Sequence, residues 1–152
     1  MYIRKIKYKD YNGKEREEDF YFNLSTAEII KWLTTTGGYT LDKLIARLAR
    51  EQNGREIMRI FESLIYESYG ELSLDGRRFD KSEEVKRNFI ETEAYSVLFT
   101  EVVTDAKKAS EFVNNIIPRE LAEEVEKIFK ENPEGIPDEI DDYITAKMVS
   151  LP

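Results

Sequence analysis

The sequence contains neither cysteine nor histidine. Without cysteine there are no disulfides, thiolate metal sites or cysteine nucleophiles, a usage that fits a reducing cytosol. The missing histidine excludes more, because imidazole is the commonest general base and metal ligand near neutral pH. Most routes to hydrolysis or group transfer are thereby closed. Nowhere does an apolar run reach the roughly 18 residues of a membrane-spanning helix. The amino-terminal Met1-Tyr2-Ile3-Arg4-Lys5-Ile6-Lys7 mixes charge with apolar residues, where a signal peptide would carry an uninterrupted apolar stretch, so neither export nor membrane insertion is expected. Asn23-Leu24-Ser25 matches a glycosylation acceptor, which without export is a chance match.

What is present is length enough for one domain and an excess of acid. A chain of 152 residues buries roughly 68–70% of the surface it exposes when unfolded, so it needs no covalent staple. The net charge is −8 and unevenly placed. Between Arg119 and Pro152 lie four basic and ten acidic residues, which puts most of the excess at the carboxyl end. An acidic surface repels phosphate backbones, so nucleic acid is not expected as a ligand. The acidic end reads equally as a solvated helix that maintains solubility and as a docking element for a basic partner.

The first segment reads as a β-hairpin, with Tyr2, Ile6 and Tyr8 alternating with polar residues, a turn at Asn12-Gly13, and Phe20, Phe22 and Leu24 alternating again. A two-residue loop would set Phe20 opposite Lys5 and split the apolar set between two faces. A three-residue loop with Gly13 in the left-handed conformation pairs Asp10 with Lys14 and gathers Tyr2, Ile6, Tyr8, Phe20 and Phe22 on one face. Arg4 falls on that face too, an imperfection in the pattern. Such a hairpin is marginal alone. Its aromatic face packs inward as ordinary core, or its open edges accept a strand from another subunit.

Helical patterns follow. Ser25-Thr26-Ala27-Glu28 has capping-box spacing and opens a helix with Ile29, Ile30, Trp32 and Leu33. After Gly37-Gly38, Thr40 heads a helix with Leu41, Leu44, Ile45 and Leu48. Ile57, Ile60, Phe61, Leu64 and Ile65 form the clearest stripe, ending at Tyr69-Gly70. Residues 70–82 have no helical period and carry an Asp75-Gly76 turn signal, so a long loop is expected. Asp80 or Ser82 caps the next helix, with Val85, Phe89 and Ile90, and Thr92 the following one, apolar nearly all round and so expected at the centre. Ala106, Ala109, Phe112, Val113 and Ile116 make a further stripe. Beyond Pro118, Leu121, Val125, Ile128 and Phe129 recur at helical spacing, and past the Gly135-Ile136-Pro137 hinge come Ile140, Tyr143, Ile144 and Met148. The expected fold is mainly α with a small N-terminal β-hairpin (α+β). A hairpin plus helical core domain over residues 1–118 would be followed by an acidic C-terminal helical extension over 119–152.

No chemistry-bearing motif emerges. The acids around Asp75-Gly76, Asp80 and Glu83 miss the alternating ligand positions of a calcium loop. Gly76 is followed by Arg77 and not by the Lys-Ser/Thr pair of a phosphate loop, and no Gly-x-Gly-x-x-Gly occurs. Carboxylates on exposed helix faces are solvation far more often than paired acids of a hydrolase. No catalytic, cofactor-binding or metal residues are expected, and the protein is expected not to be an enzyme. What remains is apolar and aromatic surface, including Trp32 and the hairpin, of the kind binding modules use as anchors and folds use as core.

Several phrases, in order and spacing, resemble a known family. These are Tyr8-Lys9-Asp10-Tyr11-Asn12-Gly13, Asp19-Phe20-Tyr21-Phe22-Asn23-Leu24-Ser25, Ser68-Tyr69-Gly70 through Ser82, Thr92-Glu93-Ala94-Tyr95-Ser96, and Phe112-Val113-Asn114-Asn115-Ile116-Ile117-Pro118. Together they look like the tail assembly chaperones of siphophages that infect Gram-positive hosts. The resemblance implies a non-catalytic factor of the host bacterial cytoplasm, absent from the finished virion, that coats the tape measure protein and recruits major tail tube protein subunits. It also allows self-association and, in some relatives, a longer frameshifted form. A long amphipathic client fits a partner with apolar binding surfaces and an acidic exterior. The positions singled out for partner binding are Phe20, Phe22, Trp32, Tyr69, Asp75, Gly76, Arg78 and Phe79. Each also has a structural reading, such as turn geometry for Gly76 or a core plug for Phe79. The competing function is an acidic regulatory or antitoxin-like protein that masks a basic partner, whose binding would collapse in salt.

Overall fold

The computed structural model describes residues 1–35 and 54–117, together with Arg50, Glu123 and Lys127. The helix expected after Thr40 and the boundary at Pro118 lie outside the described residues, as does the acidic extension apart from Glu123 and Lys127, both helical and exposed. The chain divides into two compact units, one formed by Met1–Asn23 and Phe61–Ile116, the other by Leu24–Ile60 and Ile117–Pro152.

The first unit opens with strands β1 (Tyr2–Lys9) and β2 (Glu15–Phe22). The bulged register holds: Tyr2 faces Phe22, Arg4 faces Phe20 and Tyr8 faces Arg16. At the turn, Asp10 N–H donates to Lys14 O and Gly13 N–H to Asp10 O, both at 2.9 Å. Gly13 takes a φ of 80°, which a side chain would resist. The Asp10 carboxylate accepts from the backbone of Asn12 and Lys14 at 2.9 and 3.0 Å and from Arg16 Nε at 2.7 Å.

The expectation of a mainly helical chain with only a small hairpin is corrected here. From the expected helix end at Tyr69 into the expected long loop, β3 (Tyr69–Leu72) and β4 (Phe79–Asp80) form and extend the hairpin to a four-stranded antiparallel sheet in the order β1-β2-β3-β4. Tyr21 pairs with Gly70 and Phe22 with Tyr69; Glu71 pairs with Asp80 and Leu72 with Phe79. Three features hid these strands. Each is too short to show a period of two, and β3 contains a glycine that reads as punctuation. Its pairing to β2 is also non-local, so no neighbouring turn announces it.

Helix α1 (Thr26–Thr35) and the first half of α2 (Gly54–Ser68) belong to the second unit. The capping box forms, with Ser25 N–H donating to Glu28 Oε1 at 2.9 Å and Glu28 N–H to Ser25 Oγ at 3.2 Å. In the first unit, α3 (Glu83–Ile90), α4 (Glu93–Thr104) and α5 (Ala106–Ile116) follow in sequence. Ser82 caps α3 and Thr92 caps α4, each hydroxyl accepting a backbone N–H three residues on. The Asp105 carboxylate opens α5, accepting from Lys107 N–H at 3.0 Å and Lys108 N–H at 3.3 Å.

An aromatic cluster forms the centre of this unit. Phe22, fully buried, lies 5.5 Å from the rings of Tyr69 and Phe112, 5.8 Å from Phe89 and 6.4 Å from Tyr2. Burying one such phenylalanine contributes about 1.5–3 kcal/mol. Arg4, the apparent imperfection on the apolar face, forms an ion pair with Glu101 of α4. Its Nε is buried without a hydrogen-bond partner.

Candidate functional site

The β3–β4 hairpin is a part of the described surface where polar ordering and apolar exposure coincide. Ser73 N–H donates to Arg78 O and Gly76 N–H to Ser73 O, each at 2.9 Å. Gly76 has a φ of 73°, the left-handed conformation that its Asp-Gly signal anticipated. The Asp75 carboxylate accepts from Ser73 Oγ at 2.7 Å and from Arg77 N–H at 3.0 Å, while Ser73 Oγ accepts from Arg78 N–H at 3.0 Å. The hydrogen bond from Ser73, followed by that from Arg77, holds the Asp75 carboxyl below its ordinary pKa. Two short side chains thus satisfy the backbone of a loop that has no core beneath it.

This ordering presents Leu74, the most exposed large apolar side chain of the described residues at 109% relative exposure, with Leu72 at 41% beside it. Arg77 and Arg78 are also exposed. An exposed leucine on a hydrogen-bonded turn loses less entropy on docking than one on a loose loop.

The hairpin base is fixed to the unit. Phe79 packs directly over Gly70, where a side chain would not fit. Lys81 Nζ lies 5.6 Å from the centre of the Phe79 ring and donates to Asn23 O at 2.6 Å and Glu67 O at 2.8 Å. Lys86, which is buried, donates to Tyr66 O and sits 4.6 Å over the Tyr66 ring. Two ammonium groups therefore meet the last carbonyls of α2, where the helix dipole is negative.

The residues singled out from the sequence separate into two groups. Asp75, Gly76 and Arg78 are together in the exposed loop, with Phe79 half-buried at its base. Phe22 and Tyr69 are buried and Phe20 is half-buried. Tyr69 stacks on Phe89 at 4.1 Å and 15°, and burial, then the charges of Glu71 and Glu18, pushes its hydroxyl up to about 12. Phe20 lies 5.1 Å from Phe89 and 6.4 Å from Tyr69. These rings belong to the aromatic cluster of the unit and not to its exposed surface. Trp32 belongs to α1, and its side chain lies outside the described residues. Sequence reasoning passed over Leu74, Lys81 and Lys86. A lone leucine inside a Ser-x-Asp-Gly turn was a signal for the first; nothing in the local pattern marks the lysines, whose partners are remote backbone carbonyls.

Among the described residues no three acidic side chains gather as a metal site, and no helix is long and apolar enough to cross a membrane. The arrangement offers shape, two apolar side chains and two guanidinium groups, which suits recognition of another protein. No curated protein and no solved structure matches the chain. A family model described as "Phage tail assembly chaperone" matches residues 1–148, which takes in the whole four-stranded sheet with its β3–β4 hairpin. On that near-complete match, the chain belongs to the phage tail assembly chaperone family.

Proposed function

We propose that the protein is a non-catalytic chaperone of siphophage tail morphogenesis, binding the tape measure protein and recruiting major tail tube subunits in the host bacterial cytoplasm. The observation that carries this reading is the hydrogen-bonded β3–β4 loop, which leaves Leu74 fully exposed two residues after Leu72, with the exposed Arg77 and Arg78 following in the same loop. A tape measure protein is a long helical client whose apolar stripes need cover before assembly. A leucine knob with two adjacent cations fits such a stripe where carboxylates border it.

The test is co-expression of the tagged chain with the tape measure and tail tube proteins, followed by pull-down at low and high salt. Recovery should persist in high salt. The Leu74→Asp variant, folded as the parent is, should reduce it about tenfold, as loss of an apolar anchor does. Phe20→Ala and Phe22→Ala would instead report on the fold, because those rings are packed inside it. Recovery of neither client from folded material would sink the proposal. Salt-sensitive capture of a basic protein in their place would favour the regulatory alternative.

A further inference from the structure

A second surface lies at the other side of the sheet. Asn23 N–H donates to Ser68 O at 2.8 Å and Tyr21 pairs with Gly70, so the odd-numbered residues of β2 turn their backbone groups toward β3. The even-numbered ones therefore turn toward β1. Carried across the register, this makes Tyr2, Arg4, Ile6 and Tyr8 the residues that bond β2. Ile3, Lys5, Lys7 and Lys9 then direct their N–H and C=O groups away from it. The donation from Asp10 N–H to Lys14 O agrees with this alternation. Among the described residues no strand lies on that side, for β1 ends the sheet order.

The same four residues carry the exposed side chains. Ile3 is 54% exposed, and the side chains of Lys5 and Lys7 are 62% and 80% exposed. On the β2 side these lysines face a row of acids: Asp19 opposite Lys5, Glu17 opposite Lys7 and Glu15 opposite Lys9. Lys5 and Lys7 both approach Glu17, at 3.8 and 3.7 Å. The outer face is thus striped, one strand of acids followed by one of lysines, and among the described residues no further strand follows.

We propose that the free edge of β1 receives an extended segment of a partner protein as a fifth strand, with carboxylates at alternate positions alongside Lys5, Lys7 and Lys9. Main-chain hydrogen bonds supply the docking and the lysine row selects the sequence. A second copy of β1 is a poor occupant, because antiparallel self-pairing through these residues sets lysine against lysine. The same repulsion guards the edge against aggregation. This surface is separate from the β3–β4 loop, and its test is independent of the one above.

The probe is a capped synthetic peptide as long as β1, with glutamate alternating with threonine, added to the full chain. Amide hydrogen exchange is then followed by NMR. The expected result is slowed exchange at Ile3, Lys5, Lys7 and Lys9 by about fivefold or more, with Tyr2, Arg4, Ile6 and Tyr8 unchanged. Lys5→Glu with Lys7→Glu should weaken peptide binding about tenfold while the circular dichroism spectrum stays that of the parent. Lys7→Pro, which removes one edge donor and leaves the β2 ladder intact, should weaken it as well. Equal binding of a peptide with its glutamates contiguous would overturn the proposal, since attraction would then need no strand. So would unchanged exchange at the odd-numbered residues, or concentration-dependent protection of them without peptide, which would mean a second copy occupies the edge.

Discussion

The ring of Phe79 occupies the space above the α-carbon of Gly70: a β-carbon placed there would lie 2.9 Å from the ring's Cε2 and Cζ atoms and 2.8 Å from Asp80 O. The glycine is therefore needed for close approach across the β3–β4 pair. Gly70→Ala should destabilise the protein by about 1–3 kcal/mol, the usual cost of forced overpacking. Phe79→Ala in the same chain should relieve only part of this, because the Asp80 carbonyl is backbone and stays in place. Thermal denaturation of the single and double variants checks both expectations.

The ion pair between Arg4 and Glu101 joins β1 to α4 with side chains 20% and 29% exposed. Glu101→Gln should cost about 1–3 kcal/mol, between the values for surface and fully buried pairs, because it leaves a guanidinium largely desolvated and unpaired. Replacing both residues, Arg4→Met with Glu101→Leu, should recover most of that loss. A double-mutant cycle by urea denaturation measures the coupling, and additive single losses would count against it.

Burial pushes the hydroxyls of Tyr69 and Tyr95 up to about 12 from an ordinary value of 10.0. Both are neutral in the folded chain at pH values where an unfolded tyrosine ionises. Their contribution to stability is thus fully present below pH 10 and lost as pH rises toward 12. A phenolate absorbance titration should show a late, cooperative step coinciding with loss of near-ultraviolet circular dichroism. Replacing Tyr69 with Phe should reduce the late absorbance amplitude.

Asp75 behaves with the opposite sign. Its folded pKa lies below the ordinary 3.8, so the order it gives the loop is present above that value and is lost as pH falls through the folded pKa. Amide exchange at Arg77 and Arg78, corrected for intrinsic pH dependence, should accelerate in strong acid. Ser73→Ala should produce the same loosening near neutral pH with little change in melting temperature, because the loop is outside the core.

Much of this protein was settled by local sequence. The register of the first hairpin followed from Asn12-Gly13 and the need to gather Phe20 and Phe22 with Tyr2 and Ile6. The caps at Ser25 and Thr92 followed from hydroxyl side chains ahead of apolar periods, and of the two candidates Asp80 and Ser82 the structure takes Ser82. Turn geometry at Gly76 followed from its Asp-Gly pair. These are short-range effects, decided by backbone sterics and by hydrogen bonds spanning a few residues.

Tertiary structure decided the rest. It made a strand of Tyr69–Leu72 by pairing it to β2, gave Arg4 its partner 97 positions away, and buried Phe22 and Tyr69 while leaving Leu74 in solvent. It also brought Lys81 and Lys86 to the carbonyls that end α2. In each case the partner is remote along the chain. Hydrophobic burial and charge pairing depend on distance in space, and only folding converts one separation into the other.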